Sequence, residues 1–187
     1  MKTTLPAALL GAAILAAVIG TAVSVAAAPS PEAKAALAQA NDRADADYKA
    51  ARARCDAITG NPRDVCLGEA NAARVRTREE ASALYQNTLK AFTKSRMNIA
   101  DANYDLDKAK CGALAGNDKD VCLKQAKSTL IAAQADAKAD KKAIEARADA
   151  RADKRDAEYK VALEKCDAYA GAAKDSCVLT AHNQYGK

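Results

Sequence analysis

The residues of this 187-residue chain best suited to chemistry are its six cysteines, which come as three equally spaced pairs. Cys55 and Cys66 bound the stretch CDAITGNPRDVC, Cys111 and Cys122 bound CGALAGNDKDVC, and Cys166 and Cys177 bound CDAYAGAAKDSC. Three chemistries are open to such thiols. Zinc sites usually bring cysteines two to four residues apart, so a ten-residue gap does not fit a local metal site. A thioredoxin-like redox site needs C-x-x-C, which the chain lacks. Structural disulfides remain. His182 is the only histidine and lies near the end, where it reads as a surface residue. No Ser-His-Asp set, phosphate loop or paired-carboxylate motif is recognisable, so the expectation is a non-enzyme with no cofactor and no metal.

The spacing gives the cysteines a geometry. Gly60, Gly116 and Gly171 sit at the same place in each frame, nearly midway between the two thiols. A glycine there ends one helix in the left-handed conformation. The next residue starts another: Asn61 and Asn117 are good N-caps, Pro62 suits the first helical position, and Ala172 makes the third cap weaker. Each frame then reads as helix, tight turn, helix. Residues equidistant from the turn of an antiparallel hairpin face each other, so the pairing is Cys55–Cys66, Cys111–Cys122 and Cys166–Cys177. Each bridge closes a short loop and contributes about 3 kcal/mol or slightly less. The rival geometry is one unbroken helix through each frame, with both cysteines on one face and the bridges running between helices. The central glycine and the Asn-Pro pair argue against it.

The frame has a period of 55 to 56 residues, and Tyr48, Tyr104 and Tyr159 each precede its first cysteine by seven. Each tyrosine therefore lies on the cysteine's helix face and can pack beneath the bridge. Between the frames, the intervals 62–115 and 118–170 read as helices of about 53 residues, roughly 80 Å long if straight. A shorter helix over 32–59 precedes them and a stub over 173–184 follows, so successive turns fall at alternate ends of a rod. A break of the long helices near Ser95–Asn98 is the open alternative. The seam reads Tyr85, Phe92, Ile99 and Leu106, with Ser95, Ala102 and Ala109 between, answered by Leu123, Leu130, Ala137 and Ile144. The expected fold class is all-α: an elongated antiparallel helical bundle or coiled coil of three disulfide-clamped hairpins.

The first 28 residues carry one lysine, then an apolar run, then small residues at Ser24-Val25-Ala26 or Val25-Ala26-Ala27. That is the layout of a secretory signal peptide, cleaved near Ala26–Ala28 and leaving residues 29–187 as one elongated domain. The alternative is an uncleaved membrane anchor, since the run from Leu5 to Ala28 is long enough to span. Export to an oxidising compartment fits six cysteines forming disulfides, and the bacterial periplasm, or secretion beyond it, is the expected address. Membrane contact is then expected only through the signal segment before cleavage.

Half the residues score as hydrophobic, but tryptophan is absent and phenylalanine occurs once. Ala, Lys, Arg, Asp, Glu and Leu dominate, which suits thin helix pairs rather than a thick core. A formal charge of +5 spread among 24 acids gives no concentrated basic patch, so no nucleic-acid partner is expected. The charges in 139–160 form rows. Glu145, Asp149 and Asp153 are four apart, as are Arg147, Arg151 and Arg155. Such like-charge rows mildly destabilise an isolated helix. They read either as a solvated face or as docking rows for a complementary helix.

The frame C-[DG]-A-x-x-G-x-x-[KR]-D-x-C, preceded by Ala-x-Tyr-Lys-x-Ala, resembles a family of uncharacterised proteobacterial secreted proteins rich in Ala, Lys and Asp. Members are sometimes labelled similar to the cell-envelope protein TolA, on the strength of shared Ala/Lys/Asp-rich helices. The functional expectation is a structural, spacer or stress-protective binding role in the cell envelope, with an envelope protein or a second copy as partner. A thiol-based redox or metal-buffering protein is one alternative, and a holdase-type chaperone is another.

Overall fold

The computed structural model describes residues 29–187, so the segment 1–28, expected above to be a signal peptide, lies outside the described residues. Five helices follow in order: α1 (Pro31–Cys55), α2 (Asn61–Gln86), α3 (Leu89–Cys111), α4 (Gly116–Cys166) and α5 (Ala172–Tyr185). The architecture is all-α, antiparallel and clamped by three disulfides, as expected. Among the described residues, helices contact only their neighbours in the chain: α1 with α2, α2 with α3, α3 with α4, and α4 with α5.

The interval read as one helix over 62–115 is two. Asn87 adopts the left-handed conformation at φ 45° and closes α2 by donating its N–H to the Ala83 carbonyl at 2.8 Å. Asparagine tolerates that region better than other non-glycine residues. Thr88 then caps α3, its hydroxyl accepting from the Ala91 N–H at 3.1 Å. The break lies here and not near Ser95–Asn98, which is inside α3 with Ser95 buried. Because α2 and α3 fold back on each other, the first two cysteine corners sit at the same end of the molecule, not at alternate ends. The second interval is one 51-residue helix, about 77 Å long. It carries the third corner to the far end.

The core is thin. Its buried members are almost all alanine, joined by Leu130, Ser95 and the first cysteine of each frame. Small residues allow close approach. A Cβ on Gly68 of α2 would come within 3.1 Å of the Leu106 side chain of α3. Of the expected seam, Leu106 meets Gly68 of α2, while α3 is tied to α4 by residues outside it: Arg96 donates to Asp140 at 2.6 Å and Gln134 donates to Asp101 at 2.8 Å. Leu130 and Ala137 are buried as expected. Phe92 and Ile144 are exposed, because they lie where α3 begins and its cover of α4 ends.

Candidate functional site

Each frame folds into the same corner. The first helix ends at its cysteine, and the N–H three residues on donates to that cysteine's carbonyl: Ile58 to Cys55, Leu114 to Cys111 and Tyr169 to Cys166, at 3.0 to 3.1 Å. Disulfides join Cys55–Cys66, Cys111–Cys122 and Cys166–Cys177, with Cα atoms 5.6 to 5.7 Å apart. No described cysteine is free, and Cys55, Cys111 and Cys166 are fully buried. No helix runs unbroken through any frame.

The glycines act at the start of the second helix rather than at the end of the first. Gly60 and Gly171 are N-caps at φ 67°, ψ −154° and φ 56°, ψ −141°. Gly116, at φ 54°, opens α4. A four-residue turn separates each first cysteine from its glycine, too far for a glycine that closes the first helix. Backbone near φ +60° with ψ close to −150° is accessible essentially to glycine alone, and it swings the chain into the return helix.

Asn61 does not cap its own helix. It is the first residue of α2, and its side-chain amide donates to the Ala109 carbonyl at 2.6 Å. That carbonyl is in the last turn of α3, where it also accepts from the Gly112 N–H at 3.0 Å. The first corner therefore braces the second. Asn117, its counterpart, is exposed at the start of α4. The brace explains a departure in the motif. Frames one and three have Asp after the first cysteine, and the second has Gly112, where a Cβ would come within 2.4 Å of the Asn61 amide nitrogen. In the other two frames that aspartate reaches across the turn: Asp56 pairs with Arg63 at 3.1 Å and Asp167 with Lys174 at 2.8 Å. The Asp167 carboxylate holds the Lys174 ammonium above its ordinary range. The [DG] and [KR] positions of the frame are thus partners, and glycine enters where the brace needs room.

Each frame tyrosine meets a basic or imidazole side chain from the opposite helix. Arg74 lies over Tyr48 at 5.0 Å, and Lys127 lies over Tyr104 at 5.3 Å with Lys108 at 4.7 Å. The Tyr159 hydroxyl is 3.3 to 3.4 Å from the ring nitrogens of His182, and Tyr185 packs beside it at 6.0 Å between centroids. His182 is accordingly half-buried and holds α5 to α4, a role its single occurrence did not reveal. The sequence signal was its position, five residues past the second cysteine, which Lys127 occupies in the preceding frame.

The charge rows fall on the one stretch of α4 with no neighbour. Arg147, Arg151, Arg155, Glu145, Asp149 and Asp153 are all exposed. Glu145 pairs with Lys141 at 3.0 Å, while the other five form no ion pair among the described residues.

No protein-family model, curated protein or solved structure matches this chain. Among the described residues, no helix is long and apolar enough to cross a membrane, and no three His, Cys, Asp or Glu side chains converge as a metal site. Three disulfides call for an oxidising compartment, extracellular or periplasmic.

Proposed function

We propose that this chain is an exported, non-catalytic spacer of the bacterial cell envelope, acting in the periplasm after removal of residues 1–28. One observation carries the reading: α4 is a 51-residue helix with a disulfide-stapled corner at each end and a bare middle. The staples fix the ends without a large core, and the helix between them sets a separation of about 77 Å. Each corner presents an apolar residue at the same frame position: Ile58, Leu114 and Tyr169 are 37%, 42% and 56% exposed. These are contact points for partners at opposite ends. Full pairing and burial of the first cysteines favour staples over thiols that cycle.

Photo-crosslinking side chains at positions 114 and 169, used in intact envelopes, test the reading. Distinct partners captured at the two positions are expected. The same partner at both, or none at either, would overturn the spacer role. Thiol counting on the native exported protein is the companion measurement, and reactive thiols would move the assignment to the redox alternative.

A further inference from the structure

The three staples share one geometry but join helices that hold together unequally. In each, the first cysteine is fully buried and the second is half-buried, so an attacking thiolate meets the second sulfur first. Room for the attack is greatest at the third corner, where Cys166 and Cys177 line a groove of about 910 Å³ between α4 and α5. The matching groove at Cys111 and Cys122 measures about 400 Å³. Access of this kind sets how fast a bridge opens. What its two helices do afterwards sets how far the reaction runs.

At the near end the helices stay together. Ala44 and Ala70 are buried between α1 and α2, and Leu130 and Ala137 are buried on α4 against α3. Thiols freed there remain face to face and close again readily. The far end lacks that support. Among the described residues α5 contacts only α4, and Ala181 is its one buried residue. Its other ties are the Tyr159–His182 contact and Lys187 with Asp156. A 14-residue helix does not persist alone in water. Once its bridge opens, α5 leaves α4, and the two thiols are linked only by the loose segment 167–176. Their effective concentration then drops to that of a flexible loop.

We propose that the third staple is a redox latch: a dithiol reductant opens Cys166–Cys177 before the other two bridges and frees α5 as a strap. A reductant thiolate attacks the half-buried Cys177 sulfur, the sulfur–sulfur bond breaks, and Cys166 leaves as a thiolate that takes up a proton. The reductant's second thiol attacks the mixed disulfide and releases Cys177 as a thiol. Two electrons pass to the protein, and the dithiol departs as a disulfide. A disulfide of the same class reverses these steps and closes the latch. Opening dissolves the turn that carries Tyr169, whose N–H donates to the Cys166 carbonyl at 3.0 Å, and uncovers Tyr159 on α4. The consequence rests on the spacer reading: the far contact is released while the near corners hold.

The experiment equilibrates the mature protein in buffers of reduced and oxidised dithiothreitol, traps thiols by alkylation and reads each cysteine pair by mass spectrometry. Cys166 and Cys177 should be half-reduced at a dithiol-to-disulfide ratio about tenfold or more below that needed by either other pair. At that ratio amide exchange should lose protection across Ala172–Tyr185 and keep it in α1, α2 and α3. His182→Ala removes a tie of α5 without touching a cysteine, and should ease opening of the third pair alone by about threefold. A third pair no easier to reduce than the others, a reduced third pair with α5 still protected, or an equilibrium unmoved by His182→Ala would each overturn the latch. Crosslinks at positions 114 and 169 in the oxidised protein test the spacer reading separately, and none of these results bears on them.

Discussion

The two halves of α4 are built from similar residues and do different things. From Gly116 to about Ile144 the helix has a buried stripe, with Ala126, Leu130 and Ala137 set against α3. From Arg147 to Arg155 every second or third residue is again alanine, yet nothing covers it. What differs is the third kind of residue. The first half places leucine and isoleucine among its alanines, and the second places only arginine, lysine and aspartate. The bare stretch stays helical because alanine and arginine are good helix formers. It also grows from packed helix on both sides and so avoids the cost of nucleation. A helix held at both ends needs no core in between, which is how a small chain spans a long distance.

The largest difference should appear when the staples are removed one at a time. A helix of 14 residues is too short to persist alone in water, and α5 rests on one buried alanine, the Tyr159–His182 contact and its disulfide. Cys166→Ser with Cys177→Ser should cost about 3 kcal/mol and melt α5. Circular dichroism should then fall by the share of that helix. Cys55→Ser with Cys66→Ser should cost a similar amount in stability but leave helicity at 25 °C intact, because α1 and α2 pack along their whole length. Equal helicity losses in the two variants would erase the contrast between a packed end and a stapled one.

A second contrast lies within the single helix. Ala137 is 1% exposed, so Ala137→Leu must overfill the contact with α3 and should cost about 1–3 kcal/mol. Ala150→Leu, on the bare stretch, should change stability by less than about 0.5 kcal/mol. Chemical denaturation of the two variants measures the ratio directly. A comparable cost at Ala150 would mean that this face is covered in solution.

Much of this arrangement could be read before any coordinates. The cysteine pairing followed from equal distances to a turn glycine, and the charge rows followed from a period of four. The missed features have a common character: they depend on which helix lies alongside. Gln86-Asn87-Thr88 contains a left-handed closing residue and an N-cap in succession, a stop and start signal of ordinary strength. It was outweighed by a heptad that ran through it from Tyr85 to Leu106. Asn61 looked like a local cap because its long-range acceptor, the Ala109 carbonyl, is 48 residues away. His182 gained its meaning only when α5 folded against Tyr159.

The brace between the first two corners offers a smaller effect that separates the near end from the far one. Gly112→Asp gives the second frame the residue of the first and third, and it should allow pairing with Lys119 across the turn. The new side chain must expel the Asn61 amide, which loses its bond to Ala109. The net cost should be about 1 kcal/mol. With Asn61→Ala already in place, the same Gly112→Asp change should cost nothing further or stabilise slightly. Thermal denaturation of the four proteins in this cycle gives the coupling, and additive effects would show that the corners do not touch in solution.

The smallest effect belongs to the far end and to acid. Hydrogen bonding to the Lys187 ammonium holds the Asp156 carboxyl below its ordinary value of 3.8, with help from the charges of Lys187, Arg155 and Lys160. A carboxyl whose folded value is depressed stabilises the fold at pH above its unfolded value, and that contribution fades as pH falls through the folded value. The tie between the end of α5 and α4 should therefore be complete at neutral pH and loosen below about pH 4. Asp156→Asn should remove this dependence while leaving the disulfide in place. Amide exchange at Gln184 to Lys187 reads the effect locally. Faster exchange on acidification in wild type, after correction for intrinsic rates, with no such change in Asp156→Asn, is the expected result. The near end supplies the control, since α1 and α2 are held by a packed interface that buries Ala44 and Ala70. Loosening there of equal size would mean that acid acts on the whole chain rather than on this one pair.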